Sequence, residues 1–190
     1  MIQISFPYFF SNTNTRFLNS KWSVQHLIIW QIGFKIHVFT AVFVLIFGFF
    51  QFLDFIRLKF KLIHRLSGYL YFTLVVLVSG PGGLIMGIYG NGGLLAKTSF
   101  VISAILWMLT TILAIKSIKA RNIKQHLYWT SLSYGLCLSA ITLRFYVLVL
   151  PQFFHLSSSN MYALVAWLSW IPNLIIAHYY AKNQQFNLQK

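Results

Sequence analysis

Along the chain, long apolar runs alternate with short clusters of basic residues. Charge is absent from 36–53, 66–96, 98–115, 125–143 and 145–181. A helix needs roughly 20 apolar residues to cross the hydrocarbon of a bilayer, so each of the first four runs fits one span. The last run holds the end of one span, a turn and a further whole span. The pattern predicts helices at 35–54, 65–88, 97–116, 126–149 and 160–181. Period-two alternation does not recur, and backbone groups inside lipid must be satisfied locally, so helices are expected rather than a sheet. The expected fold class is therefore all-α: a polytopic membrane bundle of about five helices. Residues 1–34 are expected to form an extracytoplasmic or interfacial segment, 35–181 the transmembrane bundle, and 182–190 a short cytoplasmic tail.

The placement of lysine and arginine orients that bundle. Arg57, Lys59, Lys61 and Arg65 follow the first helix, Lys116, Lys119, Arg121 and Lys124 follow the third, and Lys182 and Lys190 end the chain. Arg16, Lys21, Lys35 and Lys97 fall on the other side, and Arg144 lies within a span. Cytoplasmic loops carry the excess of basic residues, so the N-terminus is expected outside and the C-terminus inside. Residues 23–34, SVQHLIIWQIGF, are expected either to extend the first helix outward, the favoured reading, or to lie in the interface with Trp22 and Trp30 as anchors. His26 is expected to be interfacial, and His155 in the QFFHLSSSN loop solvated. MIQISFPYFFSNTNT lacks a basic region followed by an apolar stretch, so no cleavable signal peptide is expected.

Composition narrows the function classes. Hydrophobic residues make up 58% of the 190-residue chain and charged ones 8%, against about a quarter charged in an ordinary soluble domain. A net charge of +14 suggests nucleic acid, but it arises because Asp54 is the single acidic residue, and the basic residues border spans instead of lining a soluble face. No nucleic-acid partner is expected; the lipid bilayer is. Without glutamate, and with one aspartate, a hydrolytic triad lacks its usual base and orienting carboxylate. The lone cysteine, Cys137, forms no intrachain disulfide and reads as a small packing residue.

Polar residues within spans mark the candidate chemistry. His64 and His126 both begin helices on the cytoplasmic side, which places them at one depth, and His178 near the end of the last helix would join them. On the fourth helix His126, Thr130, Ser133, Cys137, Ala140 and Arg144 recur at spacings of three or four. His126 and Arg144 share a face with roughly 27 Å between them at 1.5 Å per residue. His37 and Arg144 form an expected outer pole, and His64, His126 and Gln51 an inner one. The hydroxyl residues, including Ser99, Ser103 and Thr110 on the third helix, read as interhelical glue. Pro81 in SGPGG is expected to kink the second helix, with Gly80, Gly82 and Gly83 allowing close packing, and Pro172 to kink the fifth. YGNGG, 89–93, reads as an outer turn.

HRLSGYLYF, with HVFTAVFVLIFGFFQF, ILWMLTTILAIKSIKARNIKQHLYW and ITLRFYVLVLP, resembles a family of bacterial membrane proteins known as domain of unknown function 2306. The resemblance covers roughly 37–151. It implies that His37, Gln51, His64, Arg65, Gly68, Tyr71, Trp107, His126, Trp129 and Arg144 are the family's characteristic positions. The family pattern places Met and then Arg-Ser after the position of Trp129, where this chain reads Thr130-Ser131-Leu132-Ser133. A second inner cation is thereby absent. The resemblance and the charge bias together imply the bacterial cytoplasmic (inner) membrane, and supply no chemistry.

The leading expectation is a redox role in which histidines near the cytoplasmic face bind one haem b or a transition-metal ion. His64 and His126 are the expected ligands, with His178 as a third for a metal and Trp129, Arg144 and His37 as further cofactor contacts. No helix carries two histidines about four turns apart, which argues against a two-haem wire. Two alternatives are a small transporter or proton-linked permease, opposed by the missing intramembrane carboxylate and inverted repeat, and a partner in membrane-protein assembly.

Overall fold

A computed structural model describes residue 21 and residues 23–187. Among them the chain is all-helical, and five helical stretches are long and apolar enough to cross a membrane. The first is α1, Ile28–Phe50. Its 23 residues at 1.5 Å each give about 35 Å, enough for hydrocarbon roughly 30 Å thick. A short α2, Asp54–Lys59, follows. The second span joins α3, Lys61–Thr73, through a π-helical turn, Leu74–Ser79, to α4, Gly80–Ile88. The third is α5, Gly93–Lys119. The fourth joins α6, Ile123–Cys137, to α7, Ser139–Val149. The fifth joins α8, Ser158–Leu168, to α9, Ile171–Asn187.

The boundaries differ from the pattern at both ends. α1 begins at Ile28, so only part of the 23–34 segment extends the helix, and residues 23–26 form turns. The position expected to open the bundle, Lys35, is thus mid-helix. α9 runs on past residue 181 into the expected tail. Hydropathy marks where lipid ends, whereas a helix continues while its hydrogen bonds are satisfied. Arg16, Trp22, Lys190 and the residues expected to carry no signal peptide lie outside the described residues.

Proline disturbs the helices one turn earlier than its own position. Pro81 offers no N–H and crowds the preceding turn, and the chain responds by widening to π geometry over Leu74–Ser79. The Gly80 amide there bonds back to the Val75 carbonyl. Only glycine fits at 80, since a Cβ would lie 2.4 Å from the Val75 oxygen and 2.6 Å from Met108 Cγ. In the fifth span helical pairing lapses at Ser169–Trp170, just ahead of Pro172. The YGNGG segment is a turn, and Gly92 and Gly93 adopt φ of 84° and 73°, which favour glycine.

α1 packs on the whole second span, the second span on α5, and α5 on α6 and α8, while α9 leans on α6. Small residues allow these approaches. A Cβ at Gly82 would sit 2.8 Å from the Gly33 carbonyl, and one at Gly48 would sit 2.6 Å from the Tyr134 ring. Val44, Tyr71, Val75, Trp107, Leu136, Cys137 and Trp170 form the central core layer. Within it the Tyr71 and Ser133 hydroxyls are 2.8 Å apart, Ser133 and Thr111 2.6 Å apart, and Trp107 Nε1 donates to Tyr71 at 3.3 Å. Hydroxyl groups here do bridge helices, closing the middle of the bundle.

Candidate functional site

The expected poles separate around that core. Toward the basic end, where α2 and the α5–α6 loop lie, His64 and His126 stand within range of each other's charge. His126 Nδ1 bonds to the Ala114 carbonyl of α5 at 2.9 Å. A carbonyl only accepts, so in the neutral ring Nδ1 carries the proton and Nε2 keeps a lone pair. His64 Nδ1 is buried without a hydrogen-bond partner. Gln51 Nε2 donates to Ser67 Oγ at 2.8 Å and to the His64 carbonyl at 3.3 Å, fixing the backbone that carries the ring.

His178 does not join them. Its Nδ1 pairs with the Tyr128 hydroxyl at 3.0 Å, and the rings meet edge-on at 5.7 Å. Tyr128 follows His126 by two residues, about 200° around the helix at 100° per residue, so α9 packs on the side of α6 away from His126. Among the described residues no three histidine, cysteine or acidic side chains are close enough to hold one metal ion, so the expected three-histidine layer is not assembled. Trp129 meets Tyr128 edge-on at 5.0 Å. Arg65 and His26 are exposed, and so is His155. Asp54 pairs with Arg57 at 2.7 Å on the surface.

The opposite pole holds a pocket that is half open to the outside past Val147 and Leu148. A cavity of about 500 Å³ lies between α1, α4, α5 and α7, and both His37 and Arg144 line it. Its walls include Trp30, Phe34, Met86, Phe100, Ala104 and Ala140, and it stops against Leu45, Trp107 and Leu136 of the core layer. Such volumes, roughly 300–1,000 Å³, suit cofactor-sized molecules. His37 Nδ1 donates to the Ser79 carbonyl in the π-helical turn at 2.8 Å. Its ring rests against Gly83, where a Cβ would be 3.1 Å away. Arg144 Nη1 donates to the Ala140 carbonyl one turn back on its own helix.

Lys21, unmarked by the sequence pattern, also lines the cavity. It is 3% exposed, and its ammonium donates to the Tyr89 carbonyl at 2.6 Å and to Asn91 Oδ1 at 2.8 Å, both in the glycine turn. Burial, with the nearby Lys97 charge, lowers its pKa to about 8. Trp30, 2% exposed and stacked on Phe34 at 5.1 Å, has a buried indole N–H with no hydrogen-bond partner. Spacing on α1 places Trp30, Phe34 and His37 on one face, a signal legible in the sequence. Lys21 gave none, because its partners are 68 and 70 residues away.

Comparison with known proteins adds one match. Residues 34–181 fit the family model described as "Predicted membrane protein (DUF2306)". No curated protein and no solved structure matches the chain.

Proposed function

Because the chain belongs to this DUF2306 family of predicted membrane proteins, whose description carries no chemistry, we propose a function from its cavity: a membrane-embedded binding protein for one bulky, mostly apolar molecule with an acidic end. One observation carries the reading. The cavity is walled by aromatic and aliphatic side chains, yet Lys21, His37 and Arg144 border it and no acidic side chain does. With the basic loops facing the cytoplasm, the cavity lies in the outer half of a bacterial cytoplasmic membrane. Native mass spectrometry of protein extracted in mild detergent tests this. We expect one small molecule per chain, lost when Ala140→Phe fills the cavity; wild-type protein that carries nothing and takes up no acidic amphiphile would reject the reading.

A second reading concerns the basic end. The oriented ring of His126 and the unpartnered Nδ1 of His64 suit two imidazole ligands to one transition-metal ion, small enough to need no large cavity. Metal analysis after purification without chelators should find copper, nickel or zinc in wild type and none in His126→Ala. Equal metal in both would remove this reading.

A further inference from the structure

The histidine pair at the basic end supports a narrower identification, which rests on the second binding reading above. We propose that His64 Nδ1 and His126 Nε2 hold one cuprous ion, Cu(I), in preference to any divalent metal.

Helical register brings the two rings together. α3 and α6 both start at the basic end, and they meet where the Tyr71 and Ser133 hydroxyls lie 2.8 Å apart. His64 precedes Tyr71 by seven residues, and His126 precedes Ser133 by seven. Seven residues make nearly two turns, returning to the same face within about 20° and stepping back about 10 Å on both helices. The histidines therefore face each other two turns from a direct contact, where His64 feels the charge of His126.

The seam between them has polar capacity that the chain leaves unused. The Ala114 carbonyl takes the Nδ1 proton of His126, which fixes the ring and leaves the Nε2 lone pair pointing away from that carbonyl. His64 Nδ1 is buried without a partner, and so is Thr130 Oγ1, one turn deeper on the His126 face. Gly68 occupies the matching turn of α3. A Cβ there would have Gln51 atoms as its three nearest neighbours, at 3.0 to 3.8 Å, with nothing from α6 closer.

Donor number and charge select the ion. Zinc typically takes three or four protein ligands. Among the described residues no third histidine, cysteine or acidic side chain completes such a set. Cu(I) is satisfied by two neutral nitrogens in a near-linear arrangement, and imidazole suits copper. Neutral ligands also leave the ion's charge uncompensated. Cys137 lies eleven residues beyond His126, about 16 Å along the span, and Asp54 is paired with Arg57. Desolvation cost rises with the square of the charge, so at equal radius a monovalent ion costs about a quarter as much as a divalent one. With the basic loops in the cytoplasm, the site meets a reducing compartment, where thiols keep copper cuprous. The ion enters as Cu(I), and two neutral imidazoles take it without electron transfer or proton release.

The test is anaerobic competition of detergent-purified protein against ferrozine, a cuprous chelator, with matched dialysis against Zn(II) and Ni(II) and X-ray absorption at the copper edge. Wild type should bind one Cu(I) per chain, show the edge feature of two-coordinate cuprous copper, and bind Zn(II) at least about tenfold more weakly. His126→Ala should lower Cu(I) affinity at least about tenfold, and added imidazole should restore it, which a folding defect would not permit. His178→Ala should change nothing, since that ring pairs with Tyr128. Tighter binding of Zn(II) or Ni(II), lost in His126→Ala, would overturn the cuprous assignment and leave the metal reading intact. Copper uptake indifferent to both His64→Ala and His126→Ala would overturn the ligand assignment. Wild-type protein that binds none of these ions would reject both readings.

Discussion

His37 on the first span donates from Nδ1 to the Ser79 carbonyl on the second at 2.8 Å, within the one stretch where that span leaves α-helical pairing. The bond ties a candidate ligand-binding imidazole to the irregularity created ahead of Pro81. It also accounts for the flanking glycines, since a Cβ at Gly82 would press on His37 Cβ at 3.2 Å and one at Gly83 on the ring at 3.1 Å. Sequence motif, backbone irregularity and cavity are therefore parts of one arrangement. Gly83→Ala should displace the ring and weaken ligand retention, with ligand dissociation rate as the measurement. An unchanged rate would mean that the ring position is not needed for binding.

Lys21 predicts a pH dependence. Its pKa is lowered to about 8, by burial and then by Lys97, so its charge is lost as pH rises through about 8 instead of near 10.5. Affinity for an acidic ligand should consequently fall between pH 7 and 9, and Lys21→Arg should abolish most of that fall. Linkage gives the opposite sign for stability of the ligand-free protein. Between pH 8 and 10.5 the unfolded chain binds the proton that the folded chain has released, so stability rises with pH over that window. Titrations of ligand affinity and of thermal midpoint should therefore run in opposite directions.

The core hydroxyl cluster should act as a unit. Tyr71→Phe removes the oxygen that meets Ser133 and accepts from Trp107 Nε1, leaving a buried indole donor unsatisfied. A loss of about 1–3 kcal/mol is expected. In a double-mutant cycle with Ser133→Ala the two effects should be less than additive, read from unfolding in detergent. Strict additivity would mean the hydroxyls do not act through each other.

Two glycines should respond differently to alanine. At Gly48 the new methyl would meet the Tyr134 ring at 2.6 Å and Tyr71 at 2.8 Å, both held in the packed interior, so a loss of about 1–3 kcal/mol is expected. At Gly68 the nearest atom is the Gln51 amide oxygen at 3.0 Å, at the end of a flexible side chain that can shift. Its cost should be clearly smaller, measured as a difference in thermal midpoint between the two variants.

Filling the cavity separates binding from folding. Ala140 faces the space on α7, so Ala140→Phe replaces void with ring and should leave the melting temperature of the ligand-free protein near or above that of wild type. Ligand-induced stabilisation should disappear in the variant. A retained thermal shift would place the ligand elsewhere.

The pattern of apolar runs determined by itself that five stretches can span a bilayer, because span length is a one-dimensional property set by hydrocarbon thickness. It also located the polar residues by depth, since 1.5 Å per residue converts position into height, and so paired His37 with Arg144 and His64 with His126. Only the tertiary structure decided which way each helix is turned. In a soluble bundle the apolar stripe reveals the buried face, but here Leu77 and Leu148 point outward while Val44, Val75 and Val165 fill the interior, apolar residues in both places. That rotation sent His178 to Tyr128 rather than to His126. It left space around His37 and Arg144, and it brought Lys21 against the distant Tyr89–Asn91 turn at the cavity's border. Lipid and protein interior are equally apolar solvents, so hydropathy fixes the height of a membrane residue and leaves its azimuth to packing.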